Sequence, residues 1–232
     1  MCGRYVLTAA SAEMARAFAA APANDLPDGP RWNVCPTTTV PAVVSGDGAR
    51  RLVPMRWGFL PHWYDSPTGG PLIINARAET VATKPAFRDS VRARRCLIPA
   101  TGFYEWTKDA DGARLPWYFH PADGGLLAFA GLWRAWGPDD LATCAIVSCA
   151  AGPSMEGIHH REPVTLAEAD WPTWLGETDA KAAPLMRPAP EGWLARHRVA
   201  TTVNSNRAEG PELIEPLAAG DVEGEEAAAG AG

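Results

Sequence analysis

Short runs of apolar and aromatic residues, separated by turn-forming residues, recur along most of the chain. TVPAVVSGDGARRLVPMRWGF predicts two strands joined by a Gly-Asp-Gly turn, which is the pattern of a β-hairpin. The starts of PLIINARAE and ARHRVATTV also favour strands. The other strand predictions, rich in β-branched and aromatic residues, are RYVL, RCLIPATGFYEWT, LPWYFH, LLAFAGLWRAW and LATCAIVSCAA.

Three stretches predict helices. TAASAEMARAFAAA is alanine-rich and starts with hydroxyl residues suited to an N-cap, KPAFRDSVRARR opens with Pro85, and AEADWPTWLG is short. The chain has no βαβ alternation, no internal repeat and no glycine loop for phosphate. We therefore predict one α+β domain over residues 2–219, with a β-rich core of mostly antiparallel strands and flanking helices. Residues 220–232 are acidic and rich in Gly and Ala, which predicts a disordered tail.

Composition adds limits to this picture. The 232 residues are 47% hydrophobic, which is ordinary for a globular protein. No apolar run approaches the roughly 20 residues that span a bilayer, and no secretion signal opens the chain. We therefore expect a cytoplasmic protein of bacterial origin, associated with the nucleoid. The five cysteines show neither CxxC nor zinc spacing, so we expect no disulfide framework, no metal and no cofactor.

The formal net charge of −6 at first discourages nucleic-acid binding. Four of the negative charges lie in the predicted tail, which leaves −2 for the remainder. Arginines cluster there at positions 92, 94 and 95 and again at 196 and 198. Patches matter more than totals for phosphate binding, so the charge leaves the question open.

Cys2 directly follows the initiator methionine, and removal of Met1 would leave an α-amine and a thiol on adjacent carbons. An α-amine has a pKa of about 7.7–8.0, so more of it is neutral than of a lysine amine. A neutral amine attacks an aldehyde to give an imine, and the neighbouring thiol can close a thiazolidine ring. By position alone, Cys2 is equally consistent with a small buried hydrophobe.

Three polar positions interrupt apolar segments. Glu105, between Tyr104 and Trp106, is a candidate general acid if it is buried, or a solvent-facing strand residue if it is not. His159 and His160 are candidates for a proton shuttle or for a structural role. Asn75 is suited to orient an amine or a sugar oxygen, or to cap a turn. The ten tryptophans supply core packing, and any exposed ones would be stacking platforms for unpaired bases.

Together these segments resemble the SRAP family, the SOS-response-associated peptidases or abasic-site-processing proteins. The resemblance spans nearly the whole chain outside the tail, and the order and spacing of the segments make it specific. The strings that carry it are MCGRY, RWNVCPTTTVPAVV, RWGFLPHW, LIINARAET, FRDSVRARRCLIPATGFYEW, FAGLWRAW, IHHREPVTL and VNSNRAEGPELIEPL.

The resemblance implies a protein that recognises abasic sites in single-stranded DNA and crosslinks to them through a thiazolidine. It also implies a β-rich α+β core with a positively charged channel, acting as a monomer with replication-fork partners. The family's catalytic residues fall on Cys2, Asn75, Glu105 and His159. Its DNA contacts fall on Arg4, Arg77, Arg161 and Trp106.

Two positions depart from the family pattern, Glu162 and Cys35. An extra carboxylate at Glu162 would either pair with Arg161 or raise the pKa of the histidine. Other activities stay open. Class II glutamine amidotransferases also begin MCG, but the chain lacks their RGPD- and NGEIYN-like strings. A non-covalent DNA-damage-binding module, autoproteolytic release of Met1 and strand cleavage by lyase chemistry are further alternatives.

Overall fold

A computed structural model describes residues 2–218. Met1 and the predicted tail of 220–232 lie outside the described residues. Within them, no helix combines the length and the apolar character that crossing a bilayer requires.

The α-helices are α1 (Ser11–Ala17), α2 (Ser90–Ala93) and α3 (Trp171–Leu175). The strands are β1 (Arg4–Leu7), β2 (Ala20–Pro22), β3 (Arg31–Val34), β4 (Thr39–Gly46), β5 (Ala49–Trp57), β6 (Asn75–Arg77), β7 (Arg95–Ala100), β8 (Gly102–Lys108), β9 (Arg114–Pro121), β10 (Leu127–Trp136), β11 (Leu141–Ala150), β12 (Arg161–Pro163) and β13 (Leu194–Arg198).

The larger of two sheets closes on itself. Its strand order is β12-β11-β10-β7-β4-β5-β2, and β6 pairs with β11. Strand β5 also pairs with β11, in the parallel direction, with Arg56 opposite Thr143 and Trp57 opposite Cys144. This pairing connects the two ends of the series β11-β10-β7-β4-β5. The ring therefore has five strands, β11, β10, β7, β4 and β5, and closure removes free sheet edges there. The predicted α+β class with mostly antiparallel strands is confirmed.

The second sheet has the order β13-β9-β8-β1-β3 and packs one face against the ring. In the antiparallel pairing of β1 with β8, Arg4 faces Tyr104 and Tyr5 faces Phe103. Side chains alternate along a strand, so Tyr5 and Phe103 point into the main core while Arg4 points to the opposite face. Tyr5 contacts Trp57 with ring centroids 5.2 Å apart, which joins the second sheet to the ring.

The opposite face of the second sheet is also covered, by the segment that follows β13. Tyr104 and Tyr118 from the sheet pack there with Val199, Val203 and Leu213 from that segment. Because both faces of this sheet are buried, its middle strands have apolar residues at successive positions. This arrangement holds the residues around the N-terminus between two hydrophobic layers.

The predicted hairpin is confirmed, with β4 and β5 joined through Asp47 and Gly48, which have φ angles of 52° and 76°. Two positive φ angles define the type I′ turn that suits a two-residue hairpin. The string RCLIPATGFYEWT, which we predicted as one strand-like segment, is two strands. It breaks at Thr101, whose N–H donates to the Val6 carbonyl at 2.8 Å, and its halves lie in different sheets.

Two helix predictions were wrong in extent. Helix α1 is shorter than predicted, and Ala10 occupies its N-cap without a side-chain hydrogen bond, so the nearby hydroxyl residues do not cap it. The helix predicted from Pro85 begins at Ser90 instead. Residues 80–88 form successive turns, in which the Lys84 N–H donates to the Thr80 carbonyl at 2.9 Å.

Close packing inside the ring gives a test of the fold. A Cβ atom at Gly131 on β10 would lie 2.7 Å from the Cys96 sulfur, whereas one at Gly46 would meet nothing within 4 Å. We expect Gly131→Ala to lower the free energy of unfolding by about 1–3 kcal/mol, as overpacking does. Urea denaturation measures the change, with Gly46→Ala as the matched control. Equal stabilities of the two variants would contradict this packing.

Candidate active site

A cleft of about 430 Å³ opens beside the first residues of the chain. Strands β1 and β8, the residues just before β12 and the segment after β13 form its walls. Two of the four predicted catalytic residues, Glu105 and His159, line this cleft. A third, Cys2, directly precedes the lining residue Gly3. The complete lining is Gly3, Arg4, Pro36, Glu105, Trp106, Arg114, His159 and Asn206.

Glu105 is buried on β8, with only 3% of its surface exposed. It follows Tyr104, which pairs with Arg4, so the register places Glu105 beside the residues that precede Arg4. The alternative of a solvent-facing glutamate is therefore wrong. Burial raises the pKa of the Glu105 carboxyl above its ordinary value. A carboxyl that keeps its proton at higher pH is suited to act as a general acid.

Cys2 is fully buried in the main core. Its thiol donates a hydrogen bond to the Arg4 carbonyl, with 3.7 Å between sulfur and oxygen. Burial, followed by the negative charge of Glu105, raises the pKa of the Cys2 thiol far above its ordinary value. The sulfur is thus held as a neutral thiol next to a carboxyl group. A reaction that needs the sulfur as a nucleophile needs a base within reach of its proton.

Asn75 connects the larger sheet to the N-terminus. It lies on β6, which pairs with β11, and its Nδ2 donates to the Cys2 carbonyl at 2.9 Å. Its Oδ1 is buried and has no hydrogen-bond partner among residues 2–218. The role of capping a turn is therefore excluded. The amide fixes the main chain of the cysteine and keeps one acceptor for another donor.

His159 lies on the cleft, whereas His160 is exposed and stacks on it with ring centroids 4.4 Å apart. The Nδ1 atom of His159 is 2.9 Å from the Arg161 N–H and 3.0 Å from the Arg161 carbonyl. The neutral ring can accept from the first, and the protonated ring can donate to the second. Burial lowers the pKa of His159, so the neutral form predominates near pH 7.

Arg161, a predicted DNA contact, has its guanidinium engaged within the protein. It makes two bonds to the Glu79 carboxylate, at 2.8 and 3.0 Å, and donates to the carbonyl and hydroxyl of Ser148. Glu162 does not pair with it. The Glu162 carboxylate accepts from the Gly152 N–H at 2.8 Å and from a second main-chain N–H. Arg161 therefore anchors the main chain that holds His159.

Arg4, a second predicted DNA contact, is also buried. Its guanidinium donates to the side-chain oxygen of Asn33 and to the carbonyls of Val203, Asn204 and Ser205. The start of the chain is thereby tied to the segment after β13. Contact of Arg4 with a phosphate stays a prediction.

Trp106 and Arg77, the other two predicted DNA contacts, lie in different places. Trp106 is on the cleft, and its ring nitrogen donates to the Asn204 side-chain oxygen at 2.6 Å. The guanidinium of Arg114 lies 4.3 Å from its ring centroid. Sequence reasoning missed Arg114 and Asn204, although Asn204 is part of the string VNSN.

Arg77 is exposed and lines a neighbouring cavity of about 510 Å³ together with Asn75.

Within residues 2–218, no group of three or more His, Cys, Asp or Glu side chains is arranged to hold a metal ion. The five cysteines are free, and four of them are buried. The half-buried exception, Cys35, donates from its thiol to the Asn33 carbonyl at 3.5 Å. The side-chain groups in and beside the cleft include a thiol, a carboxyl, an amide and an imidazole.

The fold and this set of side chains define a class of protein. The sequence profile of the SOS response associated peptidase (SRAP) family matches residues 1–206, and the chain belongs to that family. Among its relatives, abasic site processing protein YoqW of Bacillus subtilis is 33% identical in an alignment of 224 residues that covers 93% of this chain and 99% of that protein. Abasic site processing protein YedK of Escherichia coli is 30% identical in an alignment of 227 residues that covers 94% of this chain and 100% of that protein.

A crystal structure of a protein from Bacteroides thetaiotaomicron has the same fold. The TM-score is 0.81 at 22% sequence identity, and the match covers 94% of this chain and 100% of that one. The two proteins therefore share the two-sheet architecture, although only 22% of their aligned residues are identical.

The pair of Glu79 with Arg161 gives a test of how His159 is held. We expect Glu79→Ala to lower the free energy of unfolding by about 1–3 kcal/mol, because it leaves a buried guanidinium with fewer acceptors. The bond to Arg161 lowers the pKa of Glu79, so this contribution is present at neutral pH and is lost as the pH falls through that lowered pKa.

Chemical denaturation at pH 7 and in acid measures both effects. The matched control is Glu191→Ala, which removes an exposed carboxylate elsewhere. A Glu79→Ala variant that is as stable as the control at pH 7 would contradict the anchoring role of the pair.

Proposed function

We propose that the protein recognises abasic sites in single-stranded DNA and forms a covalent thiazolidine with them through Cys2, after removal of Met1. The observation that carries this proposal is a cleft lined by a buried carboxyl group and an imidazole, with the cysteine directly preceding a lining residue and Asn75 bonded to the cysteine carbonyl. The names of the relatives, abasic site processing proteins, supply the substrate class.

The substrate must first present an aldehyde. An abasic deoxyribose is mostly a closed hemiacetal, and opening it moves a proton from the C1 hydroxyl to the ring oxygen. We assign this transfer to His159, whose Nδ1 has main-chain partners for either protonation state. The buried Oδ1 of Asn75 accepts from the Cys2 amine or from a sugar hydroxyl. This contact would orient the amine toward C1 of the sugar.

The next step joins protein and sugar. The neutral amine of Cys2 attacks C1, and proton transfer from nitrogen to oxygen gives a carbinolamine. Glu105 in its acid form, which burial favours by raising its pKa, donates its proton to the departing hydroxyl, and water leaves. The product is an iminium ion between the terminal nitrogen and C1, with Glu105 now a carboxylate. Desolvation of this carboxylate makes it a stronger base than one in water.

Ring closure completes the adduct. The Cys2 sulfur attacks C1 of the iminium ion while the Glu105 carboxylate takes the thiol proton, which restores the carboxylic acid. One molecule of water is released overall, and no oxidant or metal is required. The high pKa of the thiol is consistent with this order, because the sulfur needs Glu105 as its base. The ring gains from the large effective molarity of a neighbouring group.

Several finer properties belong to the same proposal. A substrate exposed in replicating DNA would place the protein in the cytoplasm, with the nucleoid, alongside replication-fork proteins. The iminium ion could also lose the 3′ phosphate by β-elimination, which would be lyase activity competing with ring closure. A non-covalent binder or a glutaminase of the class II amidotransferase type would not form a denaturant-resistant adduct.

The first test is the adduct itself. Protein incubated with abasic single-stranded DNA should give one band of higher mass on a denaturing gel, and mass spectrometry should place the added mass, less one water, on a Met1-free N-terminal peptide. Cys2→Ala should form only an adduct that requires borohydride trapping, because its amine gives an imine that cannot cyclise. Cys35→Ala is the matched control and should crosslink normally. A stable adduct at full yield from Cys2→Ala would overturn the mechanism.

The second test is the pH dependence of the crosslinking rate. The pKa of Glu105 is raised by burial, so the acid form is present below that raised value and is lost as the pH rises through it. We expect Glu105→Gln to slow the reaction by about 10²-fold or more and to lose this alkaline limb. Single-turnover crosslinking rates from pH 5 to 9 measure both the slower reaction and the loss of the alkaline limb. A Gln variant with the limb unchanged would assign the titration to another group.

A further inference from the structure

A group of cations lies outside the cleft, where helix α2 meets strand β10. Arg92 and Arg94 are exposed at the end of α2, and Arg134 is on β10. The main chains are in contact, since the Trp133 N–H donates to the Arg94 carbonyl at 2.9 Å. Burial, and then the positive charge of Arg94, lower the pKa of Arg134. We call Arg92, Arg94 and Arg134 the basic cluster.

Neighbouring charges do not neutralise the basic cluster. Arg88 lies 3.8 Å from Asp89, so these two offset one another. Asp89 is also the carboxylate close enough to act on Arg134. Arg95 is not a member, because its guanidinium donates to three main-chain carbonyls. Asp89 thus lies against Arg88 and acts on Arg134, while Arg92 and Arg94 add two exposed cations beside them, so this face has excess positive charge although the chain as a whole is negative.

A continuous surface joins the basic cluster to the candidate active site. Nη1 of Arg134 is 3.5 Å from Nδ1 of His62, and the His62 ring lies edge-on to Trp63 at 4.9 Å between centroids. Trp63 is 48% exposed and lines the cavity of about 510 Å³ that also includes Asn75 and Arg77. The exposed ring of Trp63 therefore lies between Asn75, whose amide binds the Cys2 carbonyl, and the basic cluster.

We propose that the basic cluster binds phosphates of the DNA strand that flanks the abasic site, on the far side of Trp63 from Asn75. This rests on the proposed function and extends its footprint. A planar guanidinium can form two parallel bonds to a phosphate, and an exposed indole offers a face to any base. An exposed aromatic ring followed by cations, connected to a site for a DNA sugar, is the surface that a polynucleotide strand requires.

The test compares lesions with short and long flanks. A short abasic oligonucleotide of about 5 nucleotides reaches only the cleft, whereas strands of about 25 nucleotides extend past Trp63. Two long substrates carry the lesion near the 5′ end or near the 3′ end, so that only one of them has its long arm at the basic cluster. The variant replaces Arg92, Arg94 and Arg134 by Gln. The matched control replaces the exposed Arg16, Arg51 and Arg187 by Gln.

We measure affinity for each substrate in the Cys2→Ala background against salt concentration, and crosslinking rates with Cys2 present. Each phosphate contact to a single strand contributes about 0.7 to the slope of log affinity against log salt. For one long substrate, the variant should have a slope about 2 units shallower than the control. Its crosslinking of the short oligonucleotide should be unchanged. Arg92→Gln with Arg94→Gln, which leaves half-buried Arg134 intact, should reduce the slope by about 1 unit.

Equal slopes for variant and control on both long substrates would overturn the role of the basic cluster while leaving the crosslinking mechanism intact. An equal reduction of the salt slope on both long substrates would also overturn this role, because the basic cluster lies on one side of the candidate active site. A wild-type protein that forms no adduct with the short oligonucleotide or with either long substrate would instead contradict the proposed function.

Discussion

The pairing of strand β1 with β8 is the constraint on which the candidate site depends. In this register Tyr5 and Phe103 enter the core while Arg4 enters the opposite layer. A slip of one residue would exchange the two faces, placing a guanidinium in the main core and an aromatic ring outside it. The hydrophobic packing therefore fixes the first residues of the chain against Glu105. The position of Cys2 near Glu105 thus follows from core formation, and the bond from Asn75 to the Cys2 carbonyl adds to it.

The same packing imposes a cost at the site. A carboxyl, a thiol and an amide oxygen are held where water is excluded, and taking polar groups out of water is unfavourable. This cost is offset by the two hydrophobic layers and by charge networks such as Arg161 with Glu79 and Ser148. Burial also changes the chemistry, because it raises the pKa of the Glu105 carboxyl and that of the Cys2 thiol and so favours the neutral form of each group.

The strands and the hairpin were predictable from apolar runs and turn residues, and the four catalytic candidates from their strings. The orientation of Glu105 was not predictable, because both faces of β8 are buried and the inside-outside alternation along it is lost. Closure of the ring depends on a parallel pairing between distant strands, which leaves no local pattern. Arg114 reaches Trp106 only through the fold. The roles of Arg4 and Arg161 as internal anchors follow from the same long-range contacts.

The bond between Arg4 and the carbonyl of Val203 spans 199 positions of the sequence. Both ends of this contact are needed for one wall of the cleft, so that wall is absent until almost the whole chain has been synthesised. At about 5–20 residues per second, the intervening segment takes about 10–40 s to emerge from the ribosome. The first residues of the chain therefore wait for that interval without this wall, and folding of the segment after β13 is the event that completes the cleft around them.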